Sequence, residues 1–122
     1  MQLSRLRGRK VNDVVQRKGN VWRGKHMTIR WLPGAPRRPD VDPVTMALYV
    51  GTAASAKLDK SAVKRNRMRR RCREALRVSV LARSNLTTVQ LLLSPRSSSL
   101  DCAFEELLAD CELFLTSIPP HG

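Results

Sequence analysis

Residues 61–82 read SAVKRNRMRRRCREALRVSVLA, and the fold follows from how this stretch divides around a helix. At about 100° per residue, Met68, Cys72, Ala75, Leu76 and Ser79 share one face, while Asn66, Arg70, Arg73 and Arg77 fall at i, i+4, i+7 and i+11 on the other. A helix so divided needs an apolar surface to lie on. Both neighbouring segments supply one. Residues 44–53, VTMALYVGTA, place Met46, Leu48 and Val50 on one side of a strand, and residues 86–94, LTTVQLLLS, read as a more buried strand. Strand, basic helix and strand then form a crossover in which the two strands run parallel.

Upstream, residues 21–32 alternate Met27, Ile29 and Trp31 with His26, Thr28 and Arg30, a half-buried strand. The segment 33–43 carries four prolines, which exclude a helix or a central strand, and is expected to be a mobile loop. Residues 9–18, RKVNDVVQRK, set Val11, Val14 and Val15 on one helical stripe that stops at Gly19. Downstream, 95–99 reads as a loop, and Ser98 three residues before Asp101 is a capping signature for the last helix. In that helix Leu100, Phe104, Leu107, Leu108, Cys111, Leu115 and Ile118 form an apolar stripe, ended by Pro119-Pro120. The expected architecture is a single-domain α/β sandwich over 1–122. It has one small sheet, the order helix, strand, strand, helix, strand, helix, and a tail at 119–122.

Charge narrows the partner. The 122 residues carry 23 Lys and Arg against 10 Asp and Glu, a net of +13. Residues 1–84 hold 22 of those bases and 5 acids; residues 85–122 hold one base, Arg96, and 5 acids. A compact domain with that excess repels itself, and a polyanion relieves the repulsion. Cys72, Cys102 and Cys111 form no CxxC pair and stand far in sequence from His26 and His121, so reduced thiols in a cytoplasmic protein are expected. The basic start MQLSRLRGRK has no apolar stretch behind it, and no run approaches a membrane span.

The arginine face covers about 16 Å of helix, a ladder suited to spaced phosphates. Arginine grips phosphate bidentately and stacks on bases, and Asn66 suits a sugar hydroxyl or a base edge. A solvated helix face is the competing reading, yet like charges at i, i+4 are mildly destabilising without a ligand. A helix lying on a membrane would want Trp, Phe or more Leu than Leu76 alone on its apolar side.

The run Ala62 to Glu74 resembles the RNR motif of the bacterial ribonuclease P protein component: Arg65, Asn66, Arg67, Arg69, Arg70, Arg73 and Glu74 all meet it. Lys57 stands where the family keeps a lysine, and Arg5-Leu6 and Val15 with Gly19 fall at the family's spacing. The resemblance implies an accessory subunit that binds a catalytic RNA and the 5′ leader of precursor tRNA. Metal ions, Mg2+ above all, are then held mainly by the RNA, and no catalytic residue or metal ligand is expected in this chain. The residues implied to bind RNA are Lys57, Lys64, Arg65, Asn66, Arg67, Arg69, Arg70, Arg73 and Arg77. The family's first helix carries aromatics at the positions of Asn12 and Gln16, lining the leader cleft. Here that cleft would rest on Asn12, Val15, Gln16, Trp31 and Tyr49, with Val11 and Trp22 beside them. No obligatory protein partner and no membrane are implied.

Two other readings stay open on the residues themselves. A general basic RNA-binding or ribosome-associated protein would carry the same charge. A protein-only nuclease would need metal-binding acids in the basic half, where only Asp13, Asp40, Asp42, Asp59 and Glu74 occur.

Overall fold

The computed structural model describes residues 2–37, 47–83 and 86–118. Five strands form one sheet: β1 (Gln2–Arg5), β2 (Asn20–Arg23), β3 (Met27–Pro33), β4 (Ala47–Thr52) and β5 (Val89–Pro95). Three α-helices accompany them: α1 (Arg9–Lys18), α2 (Ala62–Leu81) and α3 (Phe104–Ser117), with a 3₁₀ turn at Ser97–Leu100. The strand order is β1-β4-β5-β3-β2. β4 runs parallel to both β1 and β5, while β3 is antiparallel to β5 and to β2. The expected crossover is present, with α2 joining the parallel pair β4 and β5.

Alternation along each strand sorts the apolar residues onto two sheet faces. Met27 and Ile29, Leu48 and Val50, and Val89, Leu91 and Leu93 point towards α2 and α3 and form the larger core. Ala47, Tyr49 and Leu92 point the other way and meet Leu6 and Val15 under α1. All five residues expected on the apolar face of α2 are buried, and Val80 joins them. Ser61 caps that helix, its Oγ accepting the Lys64 N–H at 3.3 Å. On α3 the stripe also includes Phe114, fully buried with its ring edge-on to Trp22 at 5.7 Å between centroids.

Three expectations are corrected. β1 lies in a stretch with too few apolar residues to announce a strand: it is an edge strand, defined by its parallel register from Gln2↔Ala47 to Arg5↔Val50. The single strand over 21–32 is a hairpin, because the chain turns at Gly24 and returns through the Gly24 N–H to Met27 carbonyl bond at 2.8 Å. The capping signature at Ser98 does not start α3. Ser98 Oγ instead lies 2.8 Å from His26 Nδ1, and the helix begins at Phe104, after Ala103, with no side-chain cap. Leu100 thus belongs to the 3₁₀ turn. The loop segment 38–43, Met46, and the tail at 119–122 lie outside the described residues.

That turn is bound to α2 by one side chain. Arg71 Nη1 donates to the carbonyls of Ser99 and Leu100, the second at 2.9 Å, and Nη2 donates to that of Cys102 at 2.5 Å. The three cysteines are free thiols. Burial pushes the Cys72 thiol up to about 11 and raises that of Cys111 as well, so neither is a ready thiolate.

The β2–β3 turn is fastened to α3 by carboxylates. Buried Asp110 accepts the N–H groups of His26 at 2.7 Å and Lys25 at 3.2 Å. Glu106 Oε1 lies 3.2 Å from Lys25 Nζ and 3.3 Å from His26 Nε2. The Lys25 hydrogen bond, with that of His26 second, holds the Glu106 carboxyl below its ordinary range. A carboxylate depressed in the folded state stabilises above its unfolded pKa, and the benefit is lost as pH falls through the folded value. Glu106→Gln is therefore expected to melt below wild type at neutral pH, with the gap closing as pH falls through and below the ordinary carboxylate range. Thermal melts of both proteins across that range check it; a gap that widens on acidification would contradict the assignment.

Candidate nucleic-acid interface

α2 and the turn between β1 and α1 face each other across an open cleft of about 1210 Å³. One wall is Asn66, Arg69, Arg70 and Arg73 of α2. The other is Arg5, Arg7 and Arg9, with Asn12 behind them, and the end of β4 at Val50, Gly51 and Thr52 completes the lining. Six arginines and no carboxylate line it. Guanidinium groups gathered without counter-charge create a strongly positive potential, and the open form suits a chain of phosphates better than a small enclosed ligand.

The local sequence explains each wall. Burial of Met68, Cys72, Ala75 and Leu76 turns Asn66, Arg70 and Arg73 outward, as the helical spacing requires. Asn66 Oδ1 accepts from Arg69 Nη2 at 2.6 Å, which orients that guanidinium along the wall. Among the described residues, the guanidinium groups of Arg70 and Arg73 find no hydrogen-bond partner. The opposite wall alternates Arg5, Leu6, Arg7. Leu6 is buried in the smaller core and its N–H donates to the Val50 carbonyl at 2.9 Å, so the flanking arginines face out. Gly8, at φ 101°, then starts α1.

The residues implied by the family motif separate into groups. Asn66, Arg69, Arg70 and Arg73 line the cleft. Lys57, Lys64 and Arg67 are exposed but outside its lining. Arg65 is half-buried, Nη1 donating to the carbonyls of Asp59 at 2.7 Å and Lys60 at 3.2 Å, and so fixes the loop that leads into α2. Arg77 is held by Glu74 through two hydrogen bonds, of 2.9 and 2.5 Å. That pairing raises the Arg77 pKa and lowers that of Glu74.

The residues expected to form a leader cleft are not gathered in one place. Val15 and Tyr49 are buried beneath α1. Trp31 is half-buried against the larger core, on the other face of the sheet. Gln16 is exposed at the end of α1, and its carbonyl accepts from Arg30 Nη1 at 3.3 Å. Asn12 alone reaches the arginine cleft. Reading the sequence missed Arg5, Arg7 and Arg9 as site residues; their one signal was an arginine alternation around a single leucine beside Gly8.

Neighbouring arginines on α2 thus differ in kind. Arg70→Ala is expected to leave stability within about 0.5 kcal/mol while weakening retention on a heparin column. Arg71→Ala leaves three carbonyls without their charged donor and is expected to cost about 1.5–3 kcal/mol. Urea denaturation of both variants decides: equal stability losses would mean that the faces of α2 are wrongly assigned.

Comparison with known proteins agrees with this geometry. A family model described as Ribonuclease P matches residues 1–118. The ribonuclease P protein component of Parasynechococcus marenigrum is 32% identical over 116 residues, covering 93% of this chain and 91% of that protein. That of Thermus oshimai is 38% identical over 94 residues, which are 77% of this chain and 51% of the longer relative. Among solved structures, the RNase P protein of Thermotoga maritima superposes with a TM-score of 0.72 at 16% identity, covering 95% of this chain and 98% of that one. The Staphylococcus aureus RNase P protein gives 0.66 at 18% identity, with 92% of each chain covered. With a motif for arginine and asparagine on the crossover helix, a matching fold and a family model spanning nearly its whole length, the chain belongs to the ribonuclease P protein component family.

Proposed function

We propose that this chain is the accessory protein subunit of a ribonuclease P ribonucleoprotein, the endonuclease that matures the 5′ end of tRNA. In this reading it binds the catalytic RNA and the 5′ leader of precursor tRNA in the cytoplasm. The observation that carries it is the cleft wall of six arginines without a carboxylate, built partly from the family motif. Such a surface neutralises phosphates and releases their counterions, which is binding chemistry rather than bond-breaking chemistry.

Mg2+ that activates water for phosphodiester hydrolysis is held mainly by carboxylate and phosphate oxygens. The cleft wall offers none from protein, and among the described residues no three His, Cys, Asp or Glu side chains gather to hold a metal. Mg2+ does not fit the donors that line the cleft, and the proposal assigns it to the RNA subunit. The protein's part is to lower the repulsion between RNA segments, so that the RNA holds its ions at lower free magnesium. No described helix is long and apolar enough to cross a membrane.

For the leader, Gln16 at the exposed end of α1, beside Arg30, is the position from which a base could be met. An amide there can hydrogen-bond but offers no π-face, so leader binding rests less on stacking than where the family keeps an aromatic.

The purified protein is expected not to cleave precursor tRNA at any magnesium concentration, and to restore cleavage by a bacterial ribonuclease P RNA at low magnesium. Its affinity for that RNA should fall with salt at a log–log slope of several units, as expected for about five to eight neutralised phosphates. Cleavage by RNA-free protein would sink the proposal. Equal affinity for unrelated structured RNA would favour a general RNA-binding protein instead. Gln16→Phe, assayed with the ribozyme present, is expected to tighten binding of leader-bearing precursor by about 1–3 kcal/mol and leave mature tRNA unchanged; an equal gain for both would place Gln16 away from the leader.

A further inference from the structure

We infer that Asn12 is a positioning residue for the second wall of the cleft: its side-chain amide ties down the turn that carries Arg7 between Arg5 at the end of β1 and Arg9 at the start of α1, and Gly51 is the residue that leaves room for it. The inference rests on reading the cleft as a phosphate-binding surface.

The turn is anchored at Leu6, which is buried and donates its N–H to the Val50 carbonyl, and is weakly held beyond it. It passes from β1 into α1 through Gly8 at φ 101°, and the helix begins there with no side-chain cap. Only one side chain in the turn, Leu6, is buried, and Arg7, Gly8 and Arg9 are exposed. Three cationic side chains within five residues, Arg5, Arg7 and Arg9, repel one another and favour a splayed turn. Against this, Asn12 Nδ2 donates to the Gly8 carbonyl at 2.8 Å and to the Leu6 carbonyl at 3.3 Å. Gly8 O also accepts the Asn12 backbone N–H at 3.1 Å. Both ends of the Leu6–Gly8 segment are thus fixed from one residue on the first full turn of α1.

The far side of the same amide lies against β4. A methyl group built on Gly51 would come within 2.5 Å of Asn12 Oδ1 and 3.3 Å of Leu92 Cδ1. Any residue larger than glycine at 51 therefore displaces the Asn12 amide oxygen, and with it the amide that bonds the turn. Glycine is otherwise unfavourable inside a strand, since it adds no packing and loses more entropy on ordering than other residues. Leu6, Asn12 and Gly51 line one cleft with the three arginines and with α2. The second wall is held in place by Asn12, and the two walls together grip a phosphate chain from both sides.

The test is the salt dependence of binding, which counts phosphate contacts, read alongside thermal stability, which does not. The probes are an in vitro transcribed bacterial ribonuclease P RNA and an unrelated structured RNA of equal length. If Asn12 holds the arm, Asn12→Ala loses two to three of its arginine contacts, and the log–log slope becomes shallower by about 1.5 to 2.5 on both RNAs. Arg7→Ala, which removes a single contact without loosening the turn, should lose about 0.7 to 0.9. Gly51→Ala should reproduce the Asn12→Ala slope, and adding Gly51→Ala to Asn12→Ala should shift the slope no further. An Asn12→Ala protein with a lowered melting temperature and the wild-type slope would overturn the inference, as would additive slope losses in the double variant. Selectivity of the wild type for the ribonuclease P RNA is a separate readout: its absence would count against the proposed function, while the slope differences alone decide the role of Asn12.

Discussion

Met68, Cys72, Ala75, Leu76 and Val80 seat α2 on the parallel strands β4 and β5, and the direction of every arginine on that helix follows from this contact. The helix carries seven arginines between Arg65 and Arg77. Left in water, it would gain nothing from stacking them at i, i+4, where like charges repel. Burial of the apolar stripe offsets that cost and fixes the helix in rotation. The arginines then divide by geometry. Arg69, Arg70 and Arg73 line the cleft, Arg67 is exposed beside it, Arg65 and Arg71 bond the backbone of neighbouring loops, and Arg77 near the far end is paired with Glu74. One composition yields cleft-lining cations, structural clamps and a neutralised pair, and only the helix phase distinguishes them.

The same phase explains how much was legible in the sequence. The 3.6-residue period of α2 and its flanking apolar strands were sufficient for the crossover and for the buried face. Alternation was likewise sufficient for β3 and β4. What could not be read were features that depend on partners distant in the chain. β1 is a strand only because β4 offers it a free edge. The hairpin turn after Gly24 is held by Asp110, whose carboxylate reaches it from α3. Ser98 has the look of a helix cap, but its hydroxyl is taken by His26, and Arg71 takes the carbonyls that follow.

For the site, the motif identified one wall and was silent about the other. Arg5, Arg7 and Arg9 follow no helical or strand period long enough to notice, and they join the site only because β1 pairs beside β4. Aligning Asn12 and Gln16 with the family's aromatics placed both in one leader cleft. The structure instead sends Asn12 into the arginine cleft, where its polarity serves the backbone of the turn, and leaves Gln16 outside. An amide at position 12 bonds the backbone of the turn, which an aromatic ring there would leave without that donor.

The arrangement of strands also separates charge in space. The arginine cleft sits at the β1 edge of the sheet, whereas α3, with Glu105, Glu106, Asp110 and Glu112, is bound to the β2–β3 turn near the opposite edge. A molecule with uncompensated positive charge at one edge of a sheet, and acids paired with bases near the other, has an electric moment lying across that sheet. In the field of a nucleic acid such a moment exerts a torque before any contact forms, turning the cleft towards the phosphates and the acidic helix away from them. Fewer encounters are then spent in the wrong orientation, so the separation of charge acts on the rate of association, and added salt, which shortens the reach of the field, slows that approach as well as weakening the final grip.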